Sequence, residues 1–156
     1  MRTRQRTCLA LIALLAGCMP AAAWTVEESE GFFYTYQPDE TGEYYLTLDC
    51  DIDFGFYSIS IEGSEPWEPT TSYAPQVPTR FIVDGTPLPE TVLQFTNVEN
   101  TVAVMISEAQ DGFSELHEAL AAATATVDVS YFDKAMRFDV TGIADAFAAI
   151  DTLCWG

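Results

Sequence analysis

Tyr44-Tyr45-Leu46-Thr47-Leu48-Asp49-Cys50-Asp51-Ile52-Asp53-Phe54 is the stretch that decides the fold. Tyr44, Leu46, Leu48, Cys50, Ile52 and Phe54 fall on one side of an extended chain, and Tyr45, Thr47, Asp49, Asp51 and Asp53 on the other. An apolar/polar period of two marks a strand with one face on a core. Gly55 permits a tight bend, and Phe56 to Glu62 alternates again, so the two segments read as a hairpin.

Working outward, Phe32 to Tyr36 reads as a strand, followed by the turn-forming run Pro38-Asp39-Glu40-Thr41-Gly42. Further strands are expected at Arg80 to Val83, Thr91 to Thr96, Val102 to Ser107, Thr126 to Phe132 and Met136 to Val140. Phe113, Leu116, Ala119, Leu120 and Ala123 recur at helical spacing, with Asp111 or Ser114 as a cap. Ile143, Ala146, Phe147, Ile150 and Leu153 form the apolar stripe of a last helix, with Thr141 as its N-cap and Asp145 in its first turn. The fold class is therefore α+β: an antiparallel β-sheet or β-sandwich with two helices.

The N-terminus carries Arg2, Arg4 and Arg6, then an apolar run from Cys8 to Gly17 that is too short to span a bilayer. This is the pattern of an export signal. Two cleavage sites compete. Ala21-Ala22-Ala23 before Trp24 defines a signal peptide over 1–23 and a single domain over 24–156. Leu15-Ala16-Gly17-Cys18 resembles a lipobox, which would end the signal at 17 and lipidate Cys18; its place at the end of the apolar run favours it. The expected location is the periplasm or, as a lipoprotein, the outer membrane, with a soluble secreted protein as the alternative. Membrane contact is expected only through that anchor.

Cys50 and Cys154 are the pair left for an oxidising compartment. Cys154 ends the last helix beside its apolar stripe, and Cys50 lies on the inward face of the strand. A bridge between them would link the C-terminal helix to the sheet.

Beyond Ala23 the chain has three bases, Arg80, Lys134 and Arg137, against 24 acids. Such a surface repels nucleic acid and anionic lipid. It suits a solvated acidic protein in a salty medium, attraction of cations, or a basic partner. Abundant apolar and aromatic residues distinguish it from a disordered acidic chain.

Three features are candidates for function. Gly63 to Pro78 holds Pro66, Pro69, Pro75 and Pro78, a density that excludes helix and central strand. Trp67 and Tyr73 lie within it and are the candidate anchors of an interaction loop. Asp49, Asp51 and Asp53 match the first half of a calcium loop, but its sixth and twelfth positions fall on Phe54 and Ser60. As carboxylates on one strand face they could still hold a hard cation such as calcium, with Glu43 or Glu62 assisting. His117 is the only histidine and lies beside a helical stripe, where a structural role is expected. No G-x-S-x-G is present, and no catalytic residue is assigned. A carboxylate pair for hydrolysis carries no information in a chain with 24 acids.

Cys50 on an early strand, Thr79-Arg80-Phe81-Ile82-Val83-Asp84-Gly85, and the closing run Arg137-Phe138-Asp139-Val140-Thr141-Gly142-Ile143-Ala144-Asp145-Ala146-Phe147 up to Cys154 resemble small exported bacterial domains. These are the invasion-associated locus B-like proteins and the VasI-like accessory proteins of type VI secretion. The resemblance spans Leu46 to Cys154; the Pro-rich loop and the extreme acidity depart from it. It implies a β-rich envelope protein and no mechanism. The function expected is a non-enzymatic interaction or accessory module with a protein partner in the envelope and no cofactor. The alternatives are a calcium-binding envelope protein and a hydrolase using a carboxylate pair.

Overall fold

The computed structural model describes residues 24–68 and 76–155. The expected export signal, Cys18 and Tyr73 lie outside the described residues. The strands are β1 (Glu27–Ser29), β2 (Phe32–Pro38), β3 (Tyr44–Asp51), β4 (Phe56–Pro66), β5 (Val77–Val83), β6 (Thr86–Pro87), β7 (Thr91–Val98), β8 (Thr101–Ser107), β9 (Thr126–Tyr131) and β10 (Lys134–Asp139). The helices are α1 (Phe113–Ala121) and α2 (Ile143–Trp155).

All pairings are antiparallel, in the order β1-β2-β3-β4-β8-β7-β5-β9-β10, with β6 beside β5. β5 makes the corner: its first half pairs with β7 and its second half with β9. The curl brings the far strand back to the start, where Asp39 bridges Phe138 and Glu40 N–H donates to Arg137 O at 3.0 Å.

Turn chemistry sets the registers. Glu30-Gly31, Asp84-Gly85 and Glu99-Asn100 each join two strands through two residues of positive φ, the geometry that matches strand twist. Asp84 also accepts four bonds from Thr124, Ala125 and Thr126, fastening the start of β9 to the β5–β6 turn. Those donors hold its carboxyl down at about 2.

The core lies between one face of the curled sheet and the two helices. Leu46, Leu48 and Cys50 from β3 meet Tyr57, Ile59 and Ile61 from β4, under Phe113, Leu116 and Leu120 of α1 and Ile143, Phe147 and Ile150 of α2. The bridge joins Cys50 to Cys154 with the Cα atoms 6.3 Å apart, tying α2 to β3 as expected. Among the described residues, no helix is long and apolar enough to cross a membrane.

Several expectations need correction. β3 stops at Asp51 rather than Phe54, because the Asp51 carboxylate accepts from the Asp53 and Phe54 amides and turns the chain there. Ile52 and Phe54 are consequently exposed, Phe54 at 86%. β4 continues through Gly63 to Pro66, with a register shift after Glu62, so the expected loop begins only at Trp67. Pro78 lies within β5, on its exposed side. Gly112, in the left-handed conformation, precedes α1, so neither Asp111 nor Ser114 caps it.

The bridge closes a loop of sequence separation 104. Chain-entropy arithmetic assigns such a cross-link about 4–5 kcal/mol. Urea unfolding with and without reductant should show a loss of that order, and a C154S variant should match the reduced protein. An unchanged midpoint would show that α2 docks without the bridge.

Candidate functional site

The pairing registers place two kinds of side chain on opposite faces of β2, β3, β4, β8 and β7. The face away from the helices carries a row of Tyr34, Asp49 and Ser58, and a second of Tyr36, Thr47, Ser60 and Met105. Tyr45 and Glu62 form a third. This face would be solvated in a simple two-layer domain. Here it is concave, and its floor is shielded: Ser58 and Ser60 are 1% and 2% exposed. The hollow is a groove of about 780 Å³ that reaches Val98 and Glu99 in and beside the β7–β8 turn.

Asp49 is the buried charge of this groove, 9% exposed. Its carboxylate oxygens both lie 2.9 Å from Ser58 Oγ, a single hydroxyl donor. Burial pushes its pKa up to about 7, the Ser58 bond opposes the rise, and the charge of Glu62 adds to it. Ser60 donates to Glu62 Oε1 at 3.1 Å. Thr47 lines the groove between them, and its hydroxyl has no hydrogen-bond partner.

One wall is aromatic. Phe32 and Tyr34 rings lie 5.7 Å apart, Tyr34 and Tyr36 stack at 6.4 Å, and Tyr36 meets Tyr45 edge-on at 5.8 Å. The wall follows from alternation in β2, where Phe32, Tyr34 and Tyr36 share one face.

The acidic ladder read from the sequence is dispersed. Asp49 binds Ser58 within the groove, Asp51 binds turn amides, and Asp53 belongs to the turn itself. The three do not share one strand face, since the strand ends at Asp51. Among the described residues, no group of three or more His, Cys, Asp or Glu side chains is placed to hold a metal ion. Trp67 is half-buried, and its backbone N–H donates to Asn100 O at 2.8 Å, which sets it at the β7–β8 turn.

A second polar cluster lies on the core side. Tyr57 Oη donates to Asp151 Oδ1 at 2.8 Å and lies 3.1 Å from His117 Nε2, which is itself 2.9 Å from Asp151 Oδ1. Phe113, Phe147 and Trp155 surround the imidazole, and Trp155 Nε1 donates to Glu108. Burial and the bond to Asp151 raise the Tyr57 phenol strongly. The triangle joins β4, α1 and α2, and its three polar groups bond one another at a part-buried site. His117 thus sits in a structural setting, whereas Trp155 packs on Tyr57 and His117 and remains half-exposed.

Comparison with family models, curated proteins and solved structures found no match.

Asp49 predicts a pH signature. Its folded pKa lies above the ordinary 3.8, so the native state holds its proton longer than the unfolded chain does. Stability from this group is full below about pH 4, declines as the pH rises to about 7, and stays low above it, a span of up to about 4 kcal/mol. An Asp49→Asn variant should therefore melt higher than the parent at pH 8 and close to it at pH 4. Equal shifts at both pH values would show that the carboxylate is not buried as a charge.

Proposed function

We propose that the protein is an exported, non-enzymatic interaction module of the bacterial envelope, and that it engages a protein partner across the groove on the β2-β3-β4-β8-β7 face. The observation that carries this reading is the concave polar face with its buried floor. A sheet face whose only task is to meet water gains nothing from burying Asp49 and Thr47, and each costs desolvation free energy. Concave surfaces that combine an apolar wall with a few convergent polar groups are where proteins hold ligands.

Other features agree with the reading. The Arg-flanked apolar run at the N-terminus and the Cys50–Cys154 bridge suit an oxidising compartment. The resemblance of the closing run before Cys154 to small envelope domains points the same way. Trp67, the expected loop anchor, is held by its backbone to Asn100 of the β7–β8 turn, whose Glu99 lines the groove.

Site-specific photocrosslinking tests the assignment. A photoreactive residue in place of Tyr36 or Tyr45 should give discrete adducts in intact envelopes, while one at the helix positions Glu115 or Asp145 should give none. Adducts at the helix positions alone, or the same adducts everywhere, would remove the groove as the working face.

A further inference from the structure

The groove is acidic and aromatic at once, and the residues that line it include Asp49, Glu62 and Glu99. Among the described lining residues there is no lysine or arginine. The three bases that follow the export segment stand elsewhere: Arg80 on β5, and Lys134 and Arg137 on β10, where Glu65 and Asp128 hold the last two. Asp49 is therefore a buried carboxylate hydrogen-bonded to a neutral hydroxyl, an arrangement that a cation from outside would complete.

The second observation is Thr47. It lies on the same floor, is nine-tenths buried, and its hydroxyl has no hydrogen-bond partner. Buried polar groups are almost always satisfied, and each exception calls for an explanation. Trp24 Nε1 and Thr35 Oγ1 share this state elsewhere, but of the three residues Thr47 alone lines the groove.

The third is the aromatic wall. The rings of Tyr34 and Tyr36 stack along the groove beside Asp49. Ring faces next to a carboxylate suit an ammonium or guanidinium group, which gains from both. Five strands make the floor, about 19 Å across at ordinary strand spacing, close to the length of six extended residues.

We propose that the groove binds an extended, lysine- or arginine-bearing segment of a protein partner, with one basic side chain on Asp49 beside the Tyr34–Tyr36 rings. This rests on the groove being the working face and names what occupies it. The chain's large excess of acids would speed the encounter with such a segment, but the site chemistry selects where it rests.

The test uses fluorescence anisotropy with a labelled hexapeptide alternating lysine and glycine, at physiological salt. The full-length mature protein should bind it saturably. Asp49→Asn, an isosteric change, should weaken binding about tenfold, and so should Tyr36→Ala, whose side chain is 44% exposed and is not needed for the core. The double variant Glu115→Gln/Asp145→Asn removes two charges from the helices and should stay within about twofold of the parent. Equal weakening by the helix variant would reduce the effect to general attraction and overturn the proposal, as would absence of binding. Displacement of the peptide by maltohexaose would overturn it in favour of a sugar. In those cases, crosslinks confined to positions 36 and 45 would leave the groove standing with a different occupant.

Discussion

Pairing of β3 with β4 runs unbroken from Tyr44 opposite Gly63 to Asp51 opposite Phe56. On one side of this hairpin Leu46, Leu48, Cys50, Tyr57, Ile59 and Ile61 receive both helices. On the other Thr47, Asp49, Ser58 and Ser60 form the floor of the groove. A slip of one residue would send every one of these side chains to the wrong face. The remaining elements depend on this register: Cys50 must face α2 to meet Cys154, and Tyr57, its cross-strand neighbour, must face inward to reach Asp151 and His117. The bridge and the Tyr57 triangle therefore fix the helices at two adjacent points of one strand pair.

The polar side of the hairpin is the costly one. Its hydroxyls are assigned in sequence to its carboxylates, Ser58 to Asp49 and Ser60 to Glu62, and these neutral bonds only partly offset the burial of charge. A protein tuned for stability alone would place Thr or Val at position 49. Retaining a carboxylate whose pKa is pushed up to about 7 is the kind of local sacrifice that binding surfaces make. The same groups explain why the acidity of the chain is not spread evenly in its consequences. Acids such as Glu115 and Asp145 meet water on the helices, whereas Asp49 meets a floor of hydroxyls and a wall of rings.

Much of this was legible in the sequence. The alternation of Leu46, Leu48 and Cys50, the stripe of Ile143, Ala146, Phe147 and Ile150, and the spacing of the cysteines are local or pairwise signals, and the helices and bridge follow them. The end of β3 was not legible, because Ile52 and Phe54 keep the apolar period while the Asp51 side chain captures the turn amides and overrides it. Gly112 displaced the expected polar caps of α1 by taking a left-handed backbone that its lack of Cβ permits. The short strand β1 gave no periodic signal, being three exposed residues held by the Glu30-Gly31 turn. The groove as a whole was not legible: it requires the strand order β2-β3-β4-β8-β7, which brings residues from positions 34 to 105 onto one floor. Its trace in the sequence was the shared face of Phe32, Tyr34 and Tyr36, which alternation alone reveals. Tyr57 and Asp151, the partners of His117, lie 60 and 34 residues from it and carry no motif.

The central claim is that the face opposite the helices is a groove with a buried, charge-bearing floor and not a solvated sheet surface. Asp49 reports on this directly. Carbon-detected NMR of its side-chain carboxyl across pH 3 to 9 should give a midpoint near 7, far from the exposed acids of the same chain. A midpoint close to 4 would mean that water reaches the carboxylate freely, and the groove as described would not exist.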